Sequence, residues 1–333
     1  MMLVIGGGLA FSLLFLVFGF RTNEAEALTL SPVRIEISGD AGQTLSKEMT
    51  LINEGNTAET FYPSFTNFES QGESGNPAFV EPKDDLGTWM FTSVPSVTLR
   101  AGESKVISFT IVIPKDAEPG GHFAVIFWGT SSGASTGGVS VGSKTGLLVL
   151  LSVSGDVKES AGFLNFNTVD HRFFYSTLPV SFEYRFKNDG GDRIKPVGKI
   201  TIRDTIFLPA EVLDANPENG NILPGSTRKL KVDWISYQRP DDYVPPSGFF
   251  GKFWSNVSYQ WKNFALGFYS ARLNVAYGGL AEQKAKAFAF FFVFPWQLVL
   301  VLIVVGMILF FGGRILIKNY NRRIIARAQL NER

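Results

Sequence analysis

The feature that most constrains this chain is a long apolar segment near its carboxyl end. No charged side chain occurs in residues 298–311, and the apolar run reaches Ile317 with only Arg314 interrupting it. An α-helix rises about 1.5 Å per residue, so roughly 20 such residues cross a hydrocarbon core of about 30 Å. A buried helix of a soluble protein is the alternative, but such a helix is seldom apolar on every face. We therefore predict a transmembrane helix over residues 295–317.

The residues that flank this segment predict its orientation. Trp296 lies at one end, where an aromatic ring suits the membrane interface. Basic residues lie at the other end: Arg314, Lys318, Arg322, Arg323 and Arg327. Because positive charge is retained on the cytoplasmic side, residues 318–333 are predicted to form a basic cytoplasmic tail. The protein is then a single-pass protein of the cell membrane (type I topology), with its N-terminal domains extracellular.

A second apolar run, residues 3–20, lies near the amino end. Ala25 and Ala27 fit the small-residue cleavage rule of secretory signal peptides, which predicts a signal peptide over residues 1–27. An uncleaved N-terminal anchor is the alternative, because the first residues carry no basic side chain and the run is longer than a usual signal core. In both cases the chain from Leu28 onward is predicted to lie outside the cell.

Between the two apolar segments, apolar and polar residues alternate with period two, and turn signals follow at short intervals. Residues 106–113 form one alternating run that ends at Pro114, and residues 147–153 form a nearly continuous apolar run. Short strands of this kind, with little helical periodicity, indicate antiparallel β-sandwiches. We predict a mainly β protein, with a first Ig-like β-sandwich over residues 28–157 and a second over residues 158–294.

Local motifs recur in the same order in the two predicted domains. The Asn-Glu-Gly of residues 53–55 is echoed by the Asn-Asp-Gly of residues 188–190, and in each case the motif ends a predicted strand. The turn at residues 99–105 is echoed by the turn at residues 223–229, again before a strand. A fixed order of repeated elements indicates an internal duplication.

Residues 239–264 interrupt the period-two pattern of the second domain. Prolines open this insertion, and apolar residues at helical spacing follow: Phe250, Phe253, Trp254, Val257, Trp261 and Phe264. Phe, Trp and Lys on one amphipathic helix are typical of a segment that lies in the membrane interface. The predicted membrane-interface residues are Phe249, Phe250, Phe253, Trp254, Trp261 and Trp296. A helix that caps the open end of its own sandwich is the alternative.

The composition argues against several kinds of function. The chain has no cysteine, which removes zinc fingers, iron–sulfur centres and thiol nucleophiles, and its only two histidines are His122 and His171. Its 31 basic and 30 acidic residues nearly cancel, so no overall field favours nucleic acid. His122 has no serine or carboxylate partner that the sequence makes visible. We therefore predict no enzyme activity, no cofactor and no metal site.

The order of signal peptide, two sandwiches, single span and basic tail resembles that of the WxL-interacting proteins of Gram-positive cell surfaces. Matching local features are the Leu-Ser-Pro at residues 30–32, the turn at residues 53–55, and the Ile-Pro at residues 113–114 that leads to residues 119–122. In that family the first Ig-like domain is associated with peptidoglycan and the second with a partner or host protein. The resemblance implies a non-enzymatic membrane-anchored adaptor that contacts membrane lipid and binds cell-wall polymer or an envelope protein.

Two other interpretations remain open. A structural or stalk subunit of a larger membrane-bound envelope complex would be recognised through its span and its membrane-near domain. The Pro-Val-Arg at residues 32–34 also makes the first strand similar to that of periplasmic pilus chaperones, although a membrane anchor is unlike a soluble shuttle.

Overall fold

The structure is a computed structural model. It describes residues 28–130, 144–206, 208–278 and 283–331, with side chains up to residue 323. The predicted signal peptide or N-terminal anchor lies outside the described residues, as does the side chain of Arg327.

Contacts divide the chain into two compact units. The first consists of the described residues within Met1–Glu69 and Phe79–Gly155, and the second of those within Ser70–Ala78 and Asp156–Arg333. The division at residues 155 and 156 lies close to the predicted domain boundary, and a short hairpin segment of the first half belongs by its contacts to the second unit.

The elements of the first half are β1 (Leu28–Ser31), β2 (Arg34–Gly39), β3 (Thr44–Asn53), β4 (Glu59–Gln71), β5 (Asn76–Val80), the one-turn helix α1 (Leu86–Trp89), β6 (Met90–Thr92), β7 (Val97–Leu99), β8 (Ser104–Val112), β9 (Gly120–Gly129) and β10 (Lys144–Val153). One sheet has the strand order β1-β3-β8-β6, and the other has β2-β10-β9-β4-β5 with β7 beside β4. The two sheets form a sandwich around one core.

The alternation in the sequence explains which side chains fill this core. In β8, Ile107, Phe109 and Ile111 are buried while the residues between them are not. Strands β9 and β10 lie inside their sheet and contribute Trp128 and Leu151, which are fully buried. Each such side chain contributes about 1.5–3 kcal/mol through removal from water, so the unit is held by core burial without disulfides.

The elements of the second half are β11 (Ala161–Thr168), β12 (Phe174–Tyr175), β13 (Val180–Asn188), β14 (Val197–Arg203), β15 (Pro209–Asp214), β16 (Thr227–Trp234), α2 (Phe249–Lys262), β17 (Gly267–Tyr277), β18 (Gln283–Val293) and α3 (Trp296–Asn331). The sheets have the orders β11-β13-β16 and β12-β18-β17-β14-β15. The predicted fold class, two Ig-like β-sandwiches followed by one C-terminal helix, is confirmed.

One detail differs from the antiparallel prediction. Among the described strands, each unit contains one parallel pair, formed by β2 with β10 and by β12 with β18. The reason is the same in both units: the chain leaves the first sheet after β1 or β11 and runs beside the last strand of the second sheet. This shared path supports the predicted duplication.

A buried asparagine holds the repeated Asn-Glu-Gly turn in the first unit. Asn53 is almost fully buried, and its Nδ2 donates to the carbonyl oxygens of Thr57 at 2.8 Å and Leu99 at 3.0 Å. Its Oδ1 accepts a hydrogen bond of 2.9 Å from the backbone N–H of Gly55. The side-chain amide thus ties the end of β3 to the end of β7, and a buried amide is stable there because its groups are paired.

The same arrangement occurs in the second unit. Asn188 is fully buried, and its Nδ2 donates to the carbonyl oxygens of Asp192 at 2.7 Å and Ile222 at 2.9 Å. Its Oδ1 accepts a hydrogen bond of 2.9 Å from the N–H of Gly190. The repeated sequence motif therefore has a repeated hydrogen-bonding role.

Helix α3 is 36 residues long, and the most apolar 18-residue window within Trp296–Arg323 has a mean hydropathy of 2.6. None of that apolar window is buried against the rest of the chain, unlike a core helix, and it lies far from the amino end, unlike a signal sequence. Among the residues that the structure describes, α3 is the one helix that is both long enough and apolar enough to cross a membrane. It extends past the predicted span, because the basic tail continues the same helix to Asn331.

A candidate membrane interface on the second unit

The aromatic insertion folds as helix α2, which lies between β16 and β17 in the sequence. It begins after Gly248, whose φ of 82° suits glycine, and ends at Lys262, with Asn263 as its C-cap. Three predicted interface residues of the helix are strongly exposed: Phe250 by 77%, Trp254 by 56% and Trp261 by 66%. At about 100° per residue these three fall within about 40° of one another on the helix. We call them the aromatic stripe.

The other predicted interface residues lie around this stripe. Phe249 and Trp296 are also exposed, whereas Phe253 is half-buried. The ring of Phe253 lies 6.4 Å from that of Trp296, edge to face, so it connects α2 to the first residue of α3. Five of the six predicted residues are therefore available to a surface outside the protein, and the sixth joins the two helices.

The C-terminal end of α2 is attached to the segment that follows β16. Asn263 is almost fully buried; its Oδ1 accepts hydrogen bonds from the N–H of Ser236 at 3.2 Å and of Tyr237 at 2.9 Å. Its Nδ2 donates to the carbonyl oxygen of Tyr237 at 2.9 Å. Val257 is buried on the same helix. The helix thus contacts its own sandwich through a few side chains while the aromatic stripe stays exposed.

Gln260 attaches α2 to the beginning of α3. Its side chain is almost fully buried, and its Oε1 accepts a hydrogen bond of 2.9 Å from the N–H of Leu298. Its Nε2 donates to the carbonyl oxygen of Ser176 at 3.2 Å and to the Oε1 of Gln297. The N–H groups of the first helical turn have no acceptor within their own helix, so Gln260 supplies one from α2. The aromatic stripe is held beside the point where the apolar helix begins.

The two ends of the apolar helix carry the residues expected at opposite membrane faces. The side chains of Arg314, Lys318, Arg322 and Arg323 are exposed. The rise of the helix places Arg314 about 27 Å and Lys318 about 33 Å from Trp296, which matches a hydrocarbon core of about 30 Å. A tryptophan and the first basic residues therefore bracket one membrane thickness.

A row of phenylalanines leads into α3 along the outer face of β18. Side chains alternate along a strand, so Lys284, Lys286, Phe288, Phe290 and Phe292 lie on one face of β18. The residues between them are turned to the core. The register pairs Phe292 with Phe268 on β17 and with Phe174 on β12. We call this surface the aromatic strip; its members are Phe174, Phe268, Phe288, Phe290, Phe292 and Phe294.

The aromatic strip is exposed and long. Phe290 is 67% exposed, and Phe174 is similarly accessible. The ring of Phe268 lies 4.5 Å from that of Phe292, so the members contact each other across strands. At about 3.3 Å per residue the strip extends about 20 Å from Phe294 to Phe288. This surface was not among the predicted ones, although the alternation that defines it is visible in the sequence.

The first unit contains a separate polar cleft beside His122. Its Nδ1 lies 2.6 Å from the Oδ1 of Asp85, and its Nε2 lies 2.9 Å from the carbonyl oxygen of Glu118. The ring packs on Trp89, with centroids 4.7 Å apart. Asp85 also accepts a hydrogen bond of 2.7 Å from the N–H of Leu86 at the start of α1. The expectation that His122 lacks a carboxylate partner is therefore wrong.

The surroundings of His122 favour its charged form. Burial lowers the pKa of His122. Hydrogen bonds to Asp85 and to the Glu118 carbonyl, together with the charges of both residues, raise it by more than burial lowers it. The net pKa therefore lies above its ordinary value. Both ring nitrogens are engaged, and the imidazolium can donate from both. This histidine therefore joins α1 to the beginning of β9.

No arrangement for a metal ion occurs among the described residues, where no group of three or more His, Asp or Glu side chains is placed to hold one.

Comparisons with known proteins add little beyond this geometry. No protein-family model matches the chain, and no curated protein matches its sequence. The class 5 fimbriae chaperone CfaA is 13% identical with a TM-score of 0.38, over 79% of this chain and 99% of that chain. The E. coli chaperone DraB is 10% identical with a TM-score of 0.34, over 79% and 98%. A chain from a chaperone-tip adhesin complex of CFA/I fimbriae biogenesis is 12% identical with a TM-score of 0.37, over 79% and 98%. With identities and TM-scores this low, none of these similarities assigns a function.

Proposed function

We propose that this chain is a non-enzymatic, membrane-anchored binding or adaptor protein of the cell surface. The observation that carries the proposal is the direct attachment of the second sandwich to an apolar helix. Only Phe294 and Pro295 separate β18 from α3, and Gln260 bonds to the first turn of that helix. A sandwich fixed in this way presents its loops and sheet edges at a constant height above the bilayer, which suits recognition of a partner in the envelope.

In this proposal the sandwiches lie outside the cell and residues 318–333 lie in the cytoplasm. The basic residues after the span support that orientation. The absence of cysteine from the sequence makes a direct test simple. Single-cysteine variants Ser104→Cys and Asn321→Cys would be treated, in intact cells, with a maleimide that does not cross membranes.

The expected result is labelling of the Ser104→Cys variant in intact cells and of the Asn321→Cys variant only after permeabilisation. The cysteine-free parent serves as the control for background labelling. The opposite pattern would invert the topology and remove the proposed role.

We further propose that the first sandwich binds cell-wall polymer such as peptidoglycan, or an envelope protein, as the resemblance to WxL-interacting proteins implies. The test is sedimentation of full-length protein, in mild detergent, with purified cell-wall sacculi. Retention that soluble peptidoglycan fragments compete away supports the polymer as ligand. Protein that stays in the supernatant at every sacculus concentration contradicts it and leaves an envelope protein as partner.

The engagement of His122 supports a role without catalysis. A general base needs a ring nitrogen that can reach a substrate proton, whereas both nitrogens of His122 are already bonded to Asp85 and to the Glu118 carbonyl. We therefore interpret the cleft beside this histidine as a stabilised turn and not as an active site.

The aromatic strip favours a second candidate function, that of a stalk subunit in a larger membrane complex. The polar zone of one leaflet is about 5–8 Å thick. A strip about 20 Å long therefore extends beyond it if β18 is perpendicular to the membrane plane. Each phenylalanine that a partner covered would contribute about 1.5–3 kcal/mol. In this candidate a neighbouring membrane protein covers the strip.

Co-purification from membranes distinguishes this candidate. A partner held at fixed stoichiometry by the unchanged protein and released by Phe174→Ser with Phe290→Ser would favour the stalk. Phe249→Ser, an equally exposed phenylalanine on α2 outside the strip, is the matched control. Purification of the protein without such a partner would contradict the stalk.

A further inference from the structure

We propose that a cavity on α2 binds the phosphate of an anionic phospholipid headgroup. The cavity has a volume of about 280 Å³ and is lined by Tyr237, Arg239, Tyr243, Pro246, Ser255, Ser258, Tyr259 and Lys262. This inference rests on the proposed membrane attachment and adds a lipid class to it. The cavity is slightly smaller than the clefts of about 300–1,000 Å³ that hold drug-sized ligands, so it suits a headgroup whose acyl chains remain in the bilayer.

Arg239 provides a fixed donor for a phosphate oxygen. Its guanidinium carbon lies 4.5 Å from the ring centroid of Tyr243 and 4.2 Å from that of Tyr259. Its Nη2 lies 3.4 Å from the Oγ of Ser255, a long contact. Two aromatic rings thus hold the guanidinium group, and arginine N–H donors form a planar fork that matches phosphate geometry.

Lys262 adds a second positive charge at the same cavity. Its Nζ lies 4.1 Å from the ring centroid of Tyr237, and its side chain is exposed at the end of α2. Hydroxyl groups such as that of Ser258 lie along the wall. None of the lining residues, all within the described ranges, is acidic; Asp241 and Asp242 are nearby in sequence but exposed and not part of the lining. The cavity therefore favours an anion.

The position of the cavity on α2 indicates where that anion comes from. At about 100° per residue, Ser255, Ser258 and Lys262 fall within about 60° of one another, directly beside the aromatic stripe. On the other side of the stripe, Gln260 contacts the beginning of α3. If the stripe enters the membrane interface, its polar neighbour lies at the depth of the headgroups, where lipid phosphates are concentrated.

The test titrates full-length protein in detergent micelles with phosphatidylglycerol and counts bound lipid by native mass spectrometry. A diglucosyl diacylglycerol with the same acyl chains is the phosphate-free comparison. We expect Arg239→Gln and Lys262→Gln each to weaken phosphatidylglycerol binding about tenfold, the usual effect of losing a charge-assisted hydrogen bond. Lys252→Gln removes an exposed charge from the same helix outside the cavity and should change nothing. Glycolipid binding should be equal in all variants.

Two outcomes would overturn the headgroup site. One is phosphatidylglycerol binding by both cavity variants as tight as that of the unchanged protein; the other is an equal loss in the Lys252→Gln control. Melting curves check that each variant is folded. The Arg239→Lys variant keeps the positive charge but not the planar fork of donors, so its loss of phosphatidylglycerol binding should be intermediate. Inorganic phosphate and glycerol 3-phosphate test the source of the anion: if either displaces the lipid at equal concentration, the site takes soluble phosphate and the lipid assignment is wrong.

The membrane contact of α2 is measured separately. Full-length protein in nanodiscs with brominated acyl chains should show quenching of tryptophan fluorescence that decreases in the Trp254→Phe and Trp261→Phe variants. Unchanged quenching in those variants would refute the contact of α2 with lipid, whereas failure of the cavity variants alone would refute only the headgroup site.

Discussion

Replacement of Gln260 by alanine should release α2 from α3. The change removes the acceptor of the Leu298 N–H, which is buried, and the donor to the Ser176 carbonyl, which is only partly buried. A buried group left without its partner costs about 1–3 kcal/mol and an ordinary hydrogen bond contributes about 0.5–1.5 kcal/mol, so the two losses together cost about 1.5–4.5 kcal/mol. Since 1.4 kcal/mol corresponds to a factor of ten, opening of α2 should become about 10- to 1,500-fold more frequent.

Hydrogen exchange followed by mass spectrometry, on full-length protein in nanodiscs, measures this opening. Amides of α2 should lose protection by that factor, while those of β13 in the core of the same unit should not change. Asn256→Ala, an exposed residue of the same helix, is the matched control and should leave exchange unaltered. Equal protection of α2 in Gln260→Ala and in the unchanged protein would refute the role of Gln260 as the link between the two helices.

Three further predictions concern the two sandwiches. Because the pKa of His122 is raised, its pairing with Asp85 stabilises the first unit fully below a pH of about 6.5 and less as the pH rises through the folded-state pKa. Thermal melts should show this decline in stability with pH, and the His122→Gln variant should show a flatter dependence. Asn53→Ala should destabilise the first unit by about 2–4 kcal/mol, seen as local loss of exchange protection there and not in the second unit. Asn188→Ala should give the reverse pattern, and equal effects in both units would contradict the separate roles of the two amides.

Much of the architecture could be predicted from local sequence. The apolar run that became α3 needs no partner to be recognised, because a membrane imposes its own length and polarity requirements. Period-two alternation identified strands such as β8, and helical spacing identified α2 inside the insertion. These patterns are short-range, so one sequence is enough to recognise them.

The contacts that place the candidate site could not be predicted in the same way. Gln260 contacts Leu298, 38 residues away, and His122 contacts Asp85, 37 residues away, so neither pair has a local signal. The repeated turn motifs match Leu99 with Leu223, whereas the hydrogen bond in the second unit goes to Ile222, one residue earlier. Such a shift is decided by strand register, which depends on the whole sandwich.

The aromatic strip was missed for a different reason. Its alternation with buried residues was visible, but a phenylalanine on the outer face of a strand is normally interpreted as a core residue. The side that faces the core depends on which residues the neighbouring strands bury. Here Ala289, Phe291 and Val293 of β18 fill the core, and the other phenylalanines of this strand lie on its outer face.

The short connection between β18 and α3 has a mechanical consequence. Where a force on α3 acts along β18, it meets eleven residues of β18 that are paired with β17 from Gly267 to Tyr277. Tension in that direction loads the ladder in shear, so many hydrogen bonds resist it together instead of breaking one after another. Because only two residues separate β18 from α3, tension applied to α3 is transmitted to this ladder without a flexible linker.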